Sequence, residues 1–77
     1  MDKKILEIFR EVFNNPELEV TETTTAADVV GWDSFNHLNL IMSLEESYSV
    51  SFSTVEIGQM AHVGNLVQLL EKKISAS

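Results

Sequence analysis

The sequence predicts an all-α fold, a small bundle of three main helices plus one short helix, with a long loop between helices 1 and 2. Three observations predict it. Apolar residues recur at helical spacing in three separate segments. Helix-start residues (Asp2, Asp33 or Ser34, Ser53 and His62) stand ahead of all four helical segments. The one alternating stretch, Val50-Ser51-Phe52, is too short to find a partner strand and reads as extended loop.

The first helix is expected from Asp2 to about Asn14. Ile5, Leu6, Phe9, Val12 and Phe13 form its apolar stripe, Asp2 caps it, and Asn14-Asn15-Pro16 stops it. The connection from there to Asp33 is rich in Thr and Glu, with Leu18 and Val20 as its anchors. Loops of this length are uncommon in compact domains and often functional. Thr25-Ala26-Ala27-Asp28 has the spacing of a small capping box, so one helical turn is expected inside the loop.

The second helix is expected from about Ser34 to Tyr48. Phe35, Leu38, Ile41, Met42 and Glu45 fall on one side, and Leu40 and Leu44 widen the stripe. Ser53-Thr54-Val55-Glu56 is a capping box that opens a short third helix ending near Gly58. The last helix covers about Val63 to Ile74, with Val63, Leu66, Val67, Leu70 and Ile74 as its stripe and His62 as its cap. Lys72 and Lys73 sit in its last turn, where cations favour the helix dipole.

Seventy-seven residues make one small domain, 1–77. Apolar residues are 44% of the chain, enough for one shared core and too few for a deep enclosed active site as well. Cysteine is absent, which excludes disulfides, thiolate zinc sites and intrinsic thiol chemistry. No apolar run is long enough to span a membrane, and no signal-peptide core is present, so the cytoplasm, or an organelle matrix after processing, is the expected location.

The formal net charge is -7, and its distribution is lopsided. Lys3, Lys4, Arg10, Lys72 and Lys73 are all near the ends, and no Lys or Arg lies between Glu11 and Glu71. Such a field disfavours nucleic acid and anionic membranes and suits basic protein patches. Glu17, Glu19 and Glu22 lack the spacing of an EF-hand loop, so no metal site is expected from them.

The informative motif is Gly31-Trp32-Asp33-Ser34-Phe35, which runs straight into the second helix. A helix start offers unpaired N–H groups and the positive end of the dipole, so a serine there is well placed to hold a phosphate ester. The blander role for Ser34 is a simple N-cap. A hydrolase nucleophile is a poor reading, because Gly-x-Ser-x-Gly is absent and His37 has no evident third partner. Asp33 reads as a cap and recognition element, and Trp32 as a packed anchor.

The Asp33-Ser34-Phe35 start, the run Leu40-Ile41-Met42-Ser43-Leu44-Glu45-Glu46 and the closing His62-Val63-Gly64-Asn65-Leu66 resemble an acyl carrier protein. That resemblance covers essentially the whole chain. It implies a carrier with no catalysis of its own, in which Ser34 receives 4'-phosphopantetheine from coenzyme A. It implies that Asp33 is read by the phosphopantetheinyl transferase. The arm would end in the thiol this sequence lacks and hold acyl groups as thioesters, in a monomer visited by enzymes with basic docking patches. Phe35, Asn36, Asn39, Ile41, Met42, Glu45 and Glu46 are the expected partner face, and Phe35, Leu38, Met42, Leu66 and Leu70 an expected acyl groove. Asn36 and Asn39 stand where fatty-acid carriers usually show acids, which favours a dedicated lipid, polyketide or related pathway. Phe35 in place of the more usual Leu is similar to aminoacyl carriers of the D-alanyl type. The remaining alternative is an acidic helical interaction module without a cofactor.

Overall fold

Apolar stripes and capping residues together set the element boundaries. The computed structural model describes residues 2–76. Helices α1 (Lys3–Val12), α2 (Ser34–Tyr48), α3 (Thr54–Gly58) and α4 (Val63–Ala76) follow in chain order, with a single 3₁₀ turn, Ala26–Asp28, inside the α1–α2 connection. The Asp2 carboxylate accepts from the Lys4 amide and starts α1, while Asn14 takes a left-handed φ of 50° and ends it. At the far end of α2, Ser49 is likewise left-handed (φ 56°) and its amide donates to the Glu45 carbonyl. Helix α4 runs two residues beyond the expected Ile74, and Ile74 itself is exposed.

One apolar core joins the elements. Phe9 of α1, Leu40, Ile41 and Leu44 of α2, and Val63, Leu66 and Leu70 of α4 are almost completely shielded. Val20 and Val29 anchor the long connection to this core, and Phe52 anchors the segment before α3. Leu18 packs only partly against it.

The face of α2 differs from the sequence expectation. Its inward stripe is His37, Leu40, Ile41, Leu44 and Tyr48, at i, i+3, i+4, i+7 and i+11. Ile41, expected on the partner face, is therefore only 2% exposed and belongs to the core. Phe35, Leu38 and Met42 (72%, 51% and 62% exposed) form a second stripe that faces out. With apolar residues on both sides of the helix, periodicity alone merged two stripes that the fold separates.

The long connection also closes the bundle. The first α4 amides have no intrahelical acceptors, and loop carbonyls answer them. The Val63 amide donates to the Thr24 carbonyl and the Gly64 amide to the Glu22 carbonyl, both at 2.8 Å. His62 and Asn65 cap each other reciprocally, the Asn65 amide donating to His62 Nδ1 and the His62 amide to Asn65 Oδ1. Arg10 fastens the start of the connection, donating through Nε to the Leu18 carbonyl and pairing with Glu19 at 3.0 Å. Glu19 is thus engaged locally. Among the described residues no group of three or more carboxylate or imidazole side chains gathers to hold a metal ion, and no helix is long and apolar enough to cross a membrane.

Candidate functional site

The start of α2 is built by a turn that only a flexible residue can make. Gly31 sits at φ 88°, a region open to glycine at little cost. The Asn36 side-chain amide donates to the Gly31 carbonyl at 2.7 Å and locks that turn to the helix. The Asp33 carboxylate then accepts from the Asn36 amide at 2.8 Å, and Asp33 is the N-cap. Ser34 is the first helical residue and is exposed.

Two backbone donors remain open at this point. The Asn36 and His37 amides go to Asp33, whereas the Ser34 and Phe35 amides meet no acceptor among the described residues. The Ser34 hydroxyl likewise has no hydrogen-bond partner among them. This is the arrangement an anionic ester on Oγ needs: exposed oxygen, open amides and the positive end of a fifteen-residue helix. The pattern fits a phosphodiester-linked arm.

Ser34 opens onto a cleft of about 520 Å³, lined by Ala26, Trp32, Asp33, Ser34, His37, Leu38, Ile57, Gly58 and Met60. Its walls come from α2, the 3₁₀ turn, α3 and the start of the α3–α4 connection. Leu38 is the one member of the expected acyl groove found here. Leu66 and Leu70 are closed into the core at 1% and 0% exposure, and Phe35 and Met42 lie outside the lining. The adaptable thioether at the cleft belongs to Met60 instead.

Trp32 is a packed anchor. Its ring meets Phe9 edge-on at 5.6 Å and Phe13 at 5.4 Å, and its indole Nε1–H donates to His37 Nδ1 at 3.1 Å. His37 Nε2 lies 3.3 Å from the Ile57 carbonyl oxygen. Both ring nitrogens are therefore engaged away from Ser34, so no serine–histidine dyad exists to activate the hydroxyl.

Of the other residues expected on the partner face, Asn39 is half-buried, with its side-chain amide donating to Asn36 Oδ1 at 3.3 Å. The Glu45 carboxylate accepts from the Phe52 amide at 2.8 Å and so pins the segment after α2. Glu46 is exposed, as are Phe35 and Met42. The sequence reading missed Ala26, Ile57, Gly58 and Met60 as neighbours of Ser34, because all four lie outside α2 and no helical periodicity brings them to one cleft. For His37 a signal existed: it is the one polar residue among the first four positions of the inward stripe of α2.

Comparisons with known proteins agree with this geometry. The family model described as "Phosphopantetheine attachment site" matches residues 3–70. The acyl carrier protein of Thermotoga maritima is 30% identical over 71 residues, 92% of this chain and 88% of that protein. The acyl carrier protein of Wolinella succinogenes is 35% identical over 68 residues, 87% of this chain and 88% of that protein. The solution structure of the holo acyl carrier protein from Geobacter metallireducens superposes with a TM-score of 0.90 at 38% identity, covering 95% of this chain and 84% of that one. By fold, by sequence and by the attachment-site model, the chain belongs to the acyl carrier protein family, whose members are carriers and not enzymes and use a 4'-phosphopantetheine prosthetic group.

Proposed function

We propose that Ser34 Oγ is the attachment point of the 4'-phosphopantetheine arm, in one carrier domain, 1–77, acting as a monomer in the cytoplasm. The observation that carries this is the exposed, unpartnered hydroxyl at the first position of α2, beside two open amides and at the mouth of the cleft. The arm supplies a terminal thiol on which acyl groups are held as thioesters. Family members meet a phosphopantetheinyl transferase and acyl-processing enzymes in general.

Each neighbouring residue has a definable part. Ser34 supplies the oxygen that attacks the β-phosphate of coenzyme A; its proton passes to a base of the transferase, the pyrophosphate P–O bond breaks and adenosine 3',5'-bisphosphate leaves, the metal also coming from the transferase. The Ser34 and Phe35 amides and the helix dipole stabilise the phosphodiester charge, by about 0.3–1 kcal/mol at an exposed site. The Asp33 carboxylate opposes that charge but is exposed and screened, and its cap on the Asn36 amide holds the helix start in shape. It is also the acid beside the serine that the transferase reads. Phe35, Met42 and Glu46 form the exposed part of the face offered to acyl-processing enzymes, and Glu46 suits basic patches on them.

Incubation with coenzyme A and a broad-specificity phosphopantetheinyl transferase tests the attachment point. Intact mass rises by one phosphopantetheine in wild type and stays unchanged in Ser34→Ala. A Ser34→Ala protein that still gains the arm sinks the assignment.

A further inference from the structure

His37 takes an inward position on α2, and its ring is held from both sides. The indole of Trp32 only donates, so His37 Nδ1 accepts and the neutral ring carries its hydrogen on Nε2. The Ile57 carbonyl only accepts, so the Nε2–H donates to it. The indole and imidazole rings lie 6.0 Å apart at 23°, and the indole also meets Phe9 and Phe13. A continuous strap thus runs from α1 through Trp32 and His37 to the α3 backbone. Trp32, His37 and Ile57 also line the cleft at Ser34. The core residues Leu40, Ile41, Leu44 and Leu66 are closed off and none of them lines that cleft.

We propose that the Trp32–His37–Ile57 strap sets the class of cargo: it holds α3 against α2, confines the arm and its acyl group to the surface cleft, and selects short or polar acyl groups over long alkyl chains. The proposal rests on Ser34 as the attachment point. The cleft is open, so it shields a long alkyl chain only in part, and such a chain leaves water completely only by passing between α2 and α3. Entry there separates His37 from Ile57 and leaves an imidazole N–H and a carbonyl without partners. Methylene groups replace neither hydrogen bond, so the insertion carries an uncompensated polar cost. A short or polar acyl group stays in the open cleft and leaves the strap intact. Trp32 and His37 are positioning residues in this scheme, since they act through the placement of α3.

The test loads wild type, Trp32→Phe and His37→Leu from acetyl-, hexanoyl- and dodecanoyl-coenzyme A with a promiscuous transferase. Trp32→Phe keeps an aromatic ring near Phe9 and Phe13 while removing the N–H donor together with the second ring of the indole, a milder change than Trp32→Ala, so it remains informative if His37→Leu folds poorly. Intact mass counts loaded arms, methyl NMR follows Leu40, Leu44 and Leu66, and melting temperature is recorded for each acyl form. In wild type the core methyl shifts and the melting temperature are the same for all three cargoes. In Trp32→Phe the same methyls move and the melting temperature climbs with chain length. A purely structural role for the strap lowers all three melting temperatures equally. Wild-type core methyls that move with the dodecanoyl chain, or variants indifferent to chain length, overturn the proposal alone. Absence of any mass gain overturns the Ser34 assignment and this proposal with it.

Discussion

Gly64 shows how one hydrogen atom in place of a methyl group holds two parts of the chain together. A Cβ at this position lies 2.9 Å from the Glu22 carbonyl oxygen and 3.1 Å from the His62 ring, and the Glu22 oxygen already accepts from the Gly64 amide. Alanine is the better helix former by about 1 kcal/mol, but overpacking against backbone costs about 1–3 kcal/mol. The clash wins, so Gly64→Ala lowers the melting temperature by several degrees, at roughly 4–8 °C per kcal/mol for a domain of this size. At Gly58 a Cβ meets nothing within 4 Å, so Gly58→Ala leaves the melting temperature unchanged or raises it. Thermal melts of the two variants check the pair, and equal effects would contradict the contact argument. In the sequence Gly64 was legible only as part of a family-like motif. Its necessity comes from a loop carbonyl forty-two positions away, which no local pattern encodes. Ser34 and Asp33 were legible for the opposite reason, because capping chemistry is written in adjacent residues.

Helix α3 illustrates what an element can and cannot do alone. Five residues cannot pass the nucleation cost of a helix in isolation. The Ser53–Glu56 capping box and the Glu56–Lys73 ion pair at 2.9 Å fix it to α4. The Ser53 amide, and after it Lys73, hold the Glu56 carboxyl below its ordinary range. With the folded value depressed, the unfolded chain binds more protons in acid, so this contribution is present above the ordinary glutamate pKa of about 4.3 and is lost as pH falls below it. Melting temperature measured from neutral pH to about pH 3.5 therefore drops more in wild type than in Glu56→Gln, and parallel curves would refute the linkage. The capping box itself was readable from Ser53 and Glu56, and α2 was bounded correctly at Ser34 and Tyr48. The facing of α2 was not readable. Phe35, Leu38 and Met42 are as apolar as Leu40, Ile41 and Leu44, and only the packing of α1 and α4 decides which set turns inward.

At the scale of the whole molecule the dominant quantity is charge. A net charge of -7 is spread over a body of 31 × 24 × 20 Å. At about 0.01 M salt the screening length of about 30 Å spans that body, so every carboxylate repels every other; at about 0.15 M it shrinks to about 8 Å and only neighbours interact. Melting temperature accordingly rises with added sodium chloride and further with a divalent cation, and a flat or falling response over that range would show that repulsion is unimportant. The helical class and the acidic interior of the chain were legible from composition and spacing. The cleft was not, since it is assembled from the 3₁₀ turn, α2, α3 and Met60, whose proximity is a product of folding.

The positions of the cations carry one further consequence. Lys4 donates to the Ser47 carbonyl and Lys73 lies 5.5 Å from the Phe52 ring, so both sit around the C-terminal end of α2. Ser34 is at the other end, about 22 Å away for a fifteen-residue helix. Neither ammonium therefore stands beside the Ser34 hydroxyl, and at about 0.15 M salt, where screening acts over about 8 Å, a cationic partner arriving at the serine end of the helix meets no close-range repulsion from Lys4 or Lys73.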